Sequence, residues 1–266
     1  MHSLVRTFDW AMVLCNLRFH KHKKRRTGGP PFFVPYPHRP ETKNHPKQPY
    51  LCPMKLQSFC FNPLQENTYL IWCEHTLDCA IVDAGMYDSS EHKQLQEFIE
   101  TNSLKPTHLL GTHAHIDHIF GNWWVKQVYD LPYYLHPADV VMIDRSETMA
   151  ALWNLKYTPS PLPTVDLAHG DTITVGKSQL QVRFVPGHAP GHVIFVDETG
   201  EQAIVGDTVF RGSIGRTDLP GGNHEQLLSN IEAQIFSLPD HFVLHSGHGP
   251  STTVGFEKAN NPFFQS

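Results

Sequence analysis

From residue 54 onward, apolar and polar positions recur in short regular stretches. MKLQSFCF alternates with period two, NPLQEN reads as a polar turn, and TYLIWC followed by CAIVDAG extends a set of paired strands. Residues 88–101 place Leu95, Phe98 and Ile99 on one helical face, with Ser89 or Ser90 as the expected N-cap. HLLGTHAHIDH then reads as a short buried strand running into a polar loop. Further strands are expected at 131–135, 171–174, 179–185, 192–196, 202–206 and 241–245. Helices are expected at about 119–130, 138–154 and 224–237. The last has Asn223 as N-cap, Gln226 three residues later, and Leu227, Leu228, Ile231 and Ile235 facing inward. Many short strands interleaved with a few helices predict an α/β or α+β fold, and no internal repeat is visible.

Charge divides the chain. Residues 1–53 hold ten Lys/Arg against two acids, a charge of +8, which leaves 11 basic against 24 acidic residues and a charge of −13 for 54–266. Eight of the 21 prolines also fall before residue 54, where periodicity is lost. Residues 1–53 are therefore expected to be a disordered basic tail, dispensable and even foreign to the native protein, with Met54 as a natural start. The run HKHKKRR follows the short apolar stretch instead of preceding it, which makes a poor secretory signal. It reads as a solvated charge run more readily than as a nucleic-acid patch. No segment approaches the roughly 18 apolar residues of a membrane span, so neither a membrane nor, for an acidic 54–266, a nucleic acid is an expected partner. Five irregularly spaced cysteines resemble neither a disulfide framework nor a zinc ribbon, which favours a reducing, cytoplasmic setting.

The 266 residues contain 19 histidines, a large share for a residue whose imidazole is a common metal ligand. They concentrate in THAHIDH, where His113, His115, Asp117 and His118 fall within six residues. In an extended loop His113 and His115 share a side, while Asp117 and His118 turn towards a neighbouring point. That spacing suits two adjacent metal sites, but one loop cannot complete both. Three later strand ends can contribute: VPGHAPGH with His188 or His192, AIVGDTVF with Asp207, and VLHSGHGP with His245 or His248. Taken singly, each is more ordinarily a buried or turn residue.

In this order the motifs resemble those of the metallo-β-lactamase superfamily, and within it the short, single-domain members of the glyoxalase II-like hydroxyacylglutathione hydrolases. The resemblance runs over residues 54–266 and includes IVDAG, THAHIDH, the GH of VPGHAPGH, GDTVF, SIGRTDLPGG, SGHGPSTT and the closing NPFF. It implies a four-layer αββα sandwich and two divalent metal ions, zinc foremost, with iron or manganese as alternatives. His113, His115 and His188 would bind the first ion, Asp117, His118 and His248 the second, and Asp207 would bridge them. Asp83, His192, Arg216 and Asp218 would support these ligands, with Arg216 and Asp218 also able to pair with each other, while His245 would be structural. The implied activity is hydrolysis of a small-molecule thioester, with Asp117 and Asp207 positioning a water whose pKa two metal ions would lower from 15.7 to about 7. The helical domain with which two-domain relatives grip glutathione has no counterpart before Ser266, so those contacts cannot be carried over. A mono-iron persulfide dioxygenase and a non-catalytic metal-binding protein are the alternatives. Acyl group, thiol carrier and oligomeric state stay open.

Overall fold

The computed structural model describes residues 51–265. The expectation for residues 1–53 thus falls almost wholly outside the described part. Two six-stranded sheets dominate. The first is built from β1 (Met54–Phe61), β2 (Glu66–Cys73), β3 (Asp78–Val82), β4 (Lys105–Leu110), β5 (Tyr133–Leu135) and β6 (Val165–Asp166), in that spatial order. The second comprises β7 (Thr172–Val175), β8 (Ser178–Phe184), β9 (Val193–Asp197), β10 (Gln202–Gly206), β13 (Val243–Ser246) and β14 (Thr252–Thr253), in the order β14-β13-β10-β9-β8-β7. A small hairpin of β11 (Val209–Phe210) and β12 (Ser213–Ile214) follows β10 in the chain.

The continuous apolar runs are explained by strands covered on both faces. Tyr69, Ile71, Ala80, Val82 and Leu110 meet Val182, Val193, Phe195 and Ile204 between the sheets. The alternate residues Leu70, Cys79, Ile81 and Leu109 point the other way, into a core with Leu95, Val125 and Met142. These come from helices α1 (Ser89–Thr101), α2 (Asn122–Tyr129) and α3 (Val140–Leu152). On the second sheet Ile194, Val196, Ala203 and Leu244 pack with Leu227 of α4 (His224–Asn230) and Val254 of α5 (Val254–Asn260). The period-2 side-chain alternation thus yields the expected αββα sandwich.

Local differences from the sequence reading have identifiable causes. Helix α1 is capped by Asp88, whose carboxylate accepts from the backbone N–H of Ser90 and Glu91, in place of either serine. Residues 116–118 form a 3-10 turn, so α2 begins at Asn122. The expected helix 224–237 changes at Ile231 into a π-helical turn, Ile231–Ile235, which keeps Ile231 and Ile235 buried. The stretch NPLQEN is only partly a turn: Glu66 and Asn67 already belong to β2 and are buried. The two-residue strands and α5 lack a pattern long enough to read. Among the described residues, no helix is long and apolar enough to cross a membrane.

Candidate metal centre

β3 and β4 run parallel in the first sheet, as do β10 and β13 in the second, and their C-terminal ends converge. THAHIDH follows β4, Asp207 follows β10, His248 follows β13, and His188 lies between β8 and β9. His113, His115 and His188 form one group of potential ligands, and Asp117, His118 and His248 another, with the donor atoms of each group within 4.8 Å of one another. Asp207 lies between them. Its Oδ1 is 3.5 Å from His118 Nε2, and its Oδ2 is 3.5 Å from His188 Nε2 and 3.6 Å from His248 Nε2. All seven side chains singled out in the sequence therefore reach one place.

The histidines are oriented from behind. His118 Nδ1 lies 3.1 Å from Asp83 Oδ2, and His188 Nδ1 lies 2.7 Å from the Arg216 carbonyl oxygen. His248 Nδ1 lies 3.1 Å from the Gln65 carbonyl oxygen. His113 Nδ1 is 3.0 Å from Thr112 Oγ1, whose hydroxyl donates to Asp83 Oδ2 at 2.6 Å. An acceptor at each Nδ1 puts the ring proton there and directs the Nε2 lone pair inward. Correspondingly, His113, His115, His118 and His188 Nε2, together with Asp207 Oδ1, are buried without a hydrogen-bond partner among the described residues. Orphaned buried donors of this kind are costly unless something accepts their lone pairs, and imidazole nitrogen with carboxylate oxygen is a donor set suited to divalent ions. The residues fit metal binding.

For the first group, electrostatics point the same way. Burial, reinforced by the neighbouring imidazoles, holds His113 well below the usual histidine range; burial and His188 press His115 down to about 3. Burial also lowers His188. Those three rings are neutral and available as ligands. Burial works against charge on His118 too, but Asp207 and Asp117 outweigh it and raise its pKa. Asp207 is drawn down by His118, His188 and His248 despite burial, and so remains ionised.

Several supports are backbone devices. Asp83 adopts φ +52°, a left-handed conformation uncommon for a non-glycine residue. It is fixed there by its N–H to the Leu110 carbonyl oxygen at 2.9 Å and by the Thr112 N–H donating to its Oδ1 at 2.7 Å. At Gly247 a Cβ would collide with Asp207 Oδ1 and crowd the His118 ring, so the turn before His248 requires glycine. His192 is fully buried, stacks on His113 with ring centroids 4.8 Å apart, and accepts the Asp207 N–H at its Nε2 at 3.1 Å. Arg216 and Asp218 form an exposed bidentate pair at 2.7 Å, so it is the Arg216 carbonyl, not its guanidinium, that touches a candidate ligand. His245 lies apart, between Ser251 Oγ and Gln202 Oε1.

Other groups have no counterpart in the sequence reading. Asp139 is buried just ahead of α3 and accepts from the Ala114 N–H at 2.6 Å and the Gly191 N–H at 2.5 Å, stitching the THAHIDH loop to the VPGHAPGH loop. Burial holds its carboxyl up, at about 6. Glu66 is fully buried 3.8 Å from His118 Nδ1, and accepts from Thr68 Oγ1 at 2.9 Å. Burial raises its pKa well above the carboxylate range. Asn67 Nδ2 donates to the carbonyl oxygens of Ser246 and Gly249, and Tyr69 Oη to that of Ser246 at 2.6 Å, which clamps the His248 turn to β2. Asp139 falls at the start of an expected helix and Glu66 in an expected turn, so only their burial distinguishes them.

A layered αββα fold with histidine and aspartate donors gathered at converging strand ends is the scaffold of a metal-dependent hydrolase. Residues 61–251 match the metallo-beta-lactamase superfamily, and the chain belongs to that superfamily. It is 34% identical to the probable metallo-hydrolase YqgX of Bacillus subtilis, covering 79% of this chain and 97% of that protein. It is 31% identical to the hydroxyacylglutathione hydrolase GloC of Haemophilus influenzae, covering 80% and 99%. Among solved structures, TTHA1623 in a di-iron-bound form superposes with a TM-score of 0.70 at 39% identity, covering 78% and 99%.

Proposed function

We propose that this hydrolase cleaves thioesters in the manner of hydroxyacylglutathione hydrolases, using two divalent metal ions. His113, His115 and His188 would hold the first ion, Asp117, His118 and His248 the second, and Asp207, which faces both groups, would serve both. The observation that carries this reading is the convergence on Asp207 of the buried Nε2 atoms of His113, His115, His118 and His188, which, like Asp207 Oδ1, have no hydrogen-bond partner among the described residues. The thioester is supported by the motifs SIGRTDLPGG and SGHGPSTT and by the likeness to the Haemophilus enzyme. Zinc is the foremost candidate; the di-iron form of a similar protein makes iron a second.

Metal ions bound there would supply a water of lowered pKa and polarise a carbonyl. The chain itself does the positioning. Asp83 and Thr112 fix the rings of His118 and His113, the Arg216 carbonyl fixes His188, and His192 holds the Asp207 backbone. His115, Asp117, His188, Asp207 and His248 also border an open cavity of about 470 Å³, which gives substrate access to the site. A thiolate departs readily without prior protonation, so no general acid is needed for it. Metal analysis joined to a thiol-release assay tests the proposal. Two divalent ions per chain with release of thiol from S-D-lactoylglutathione or smaller thioesters are expected. One iron per chain, with oxygen uptake on persulfides and no thiol release, would replace this reading with the dioxygenase.

A further inference from the structure

The cavity beside the candidate metal centre is uneven in its chemistry. One wall is α3, through Met142 and Met149, continued by Trp153; the hairpin and the segment after it contribute Phe210, Ile214 and Leu219. Among the described residues, Asp117 and Asp207, both already engaged at the centre, are the only carboxylates lining it. Two arginines border it among the described residues, and they differ. Arg216 is neutralised by its bidentate pair with Asp218. Arg145, on α3, is exposed and has no ion pair or side-chain hydrogen bond among the described residues. Next to it, the Ser146 hydroxyl donates to the Met142 carbonyl oxygen at 2.9 Å and is not offered to the cavity.

We infer that Arg145 anchors a carboxylate of the substrate, and that the cavity selects apolar thioesters carrying one such anion. This rests on the thioesterase reading for the reaction, though not for the binding. A guanidinium presents a planar fork of donors matched to a carboxylate, and an unpaired one at a cavity rim is ready to make that contact. A glutathione ester carries two carboxylates, an ammonium group and two peptide units. Apolar walls would desolvate several of these without partners, and each unpaired group opposes binding. An aliphatic or aryl body instead covers Met142, Met149 and Trp153 without that penalty.

The test uses the metal-loaded full chain, Arg145→Gln and Arg145→Lys, and two matched substrate pairs. One pair places the carboxylate on the thiol half, as in S-benzoyl-3-mercaptopropionate and its methyl ester. The other places it on the acyl half, as in a glutaryl thioester of a neutral thiol and its methyl ester. For at least one pair, Arg145→Gln should lower the acid-to-ester ratio of kcat/KM by about 10- to 100-fold, the range of a lost charge-assisted contact, mostly through KM. Arg145→Lys should restore part of it. The pair that responds identifies the half that carries the anion. Equal losses for acid and ester in both pairs, or a lower KM for S-D-lactoylglutathione than for the apolar acids, would overturn the inference. Calorimetry with the non-hydrolysable thioether analogues separates it from the functional reading. If no thioester is cleaved but thioether acids bind with affinity dependent on Arg145, the reaction is wrong and the anchor stands. If thioesters are cleaved but thioether binding ignores the substitution, the anchor is wrong and the reaction stands.

Discussion

The two sheets furnish the centre in different ways. The first delivers four candidate ligands on one loop after β4, held by Asp83, Thr112 and Asp139. The second contributes three side chains from three separate chain segments, each with its own support: the Arg216 carbonyl behind His188, His192 behind Asp207, and the Gln65 carbonyl behind His248, whose turn Asn67 and Tyr69 tie to β2. A dense loop is preorganised by local chain geometry, whereas dispersed ligands depend on the sheet and on contacts across it. The first half should therefore resist small changes better than the second.

Asp207 offers the severest test, because it faces both groups. Asp207→Ala should reduce bound metal to one ion or fewer per chain and lower kcat/KM by about 10³-fold or more, as losses of groups acting in a unit do. Metal analysis and kinetics on one preparation check it, and retention of two ions would break the comparison at its centre. Asp83→Asn comes next. Asparagine tolerates the left-handed backbone, so the fold should persist while metal affinity falls by about 10- to 100-fold, measured by chelator competition.

His245 and His248, three residues apart, sharpen the contrast within one segment. His248→Gln should lower metal occupancy; His245→Gln should leave it intact and alter acid stability instead. Burial holds the His245 pKa down at about 4. Its contribution is fully present above the unfolded value of about 6.5 and is lost as pH falls towards 4, at up to about 1.4 kcal/mol per pH unit. The variant's melting temperature should thus fall less steeply than that of the parent between pH 6.5 and 4. An unchanged slope would remove His245 from the account. The smallest effect is expected from Tyr69→Phe, which deletes one hydrogen bond to the Ser246 carbonyl. A loss of about 1 kcal/mol, or roughly 2–4 °C in Tm, with little change in kcat, is the expected result.

The same contrast explains what could be read from the sequence. THAHIDH is legible because its donors are neighbours in the chain, and the continuous apolar runs are legible because both faces of most strands are covered. The choices between His188 and His192 and between His245 and His248 rested on family resemblance, since spacing gives both members of each pair equal access to a strand end. Glu66, Thr112 and Asp139 left no signal, because their roles depend on what folds over them. A buried carboxylate and a solvated turn residue are spelled alike. Arg145 reads as an ordinary exposed helix residue until the cavity shows what it borders.

The clamp between β2 and the His248 turn also bears on the order of assembly. Asn67 bonds to carbonyls 179 and 182 residues further along the chain. Such distant closures are slow to find, and a chain synthesised from its N-terminus exposes THAHIDH long before His248 exists. Presentation of the THAHIDH donors and closure of the second sheet around them are then separate events in time. The Asn67 contacts act as a latch that closes only once the second sheet is complete, so the candidate centre is finished among the last parts of the domain.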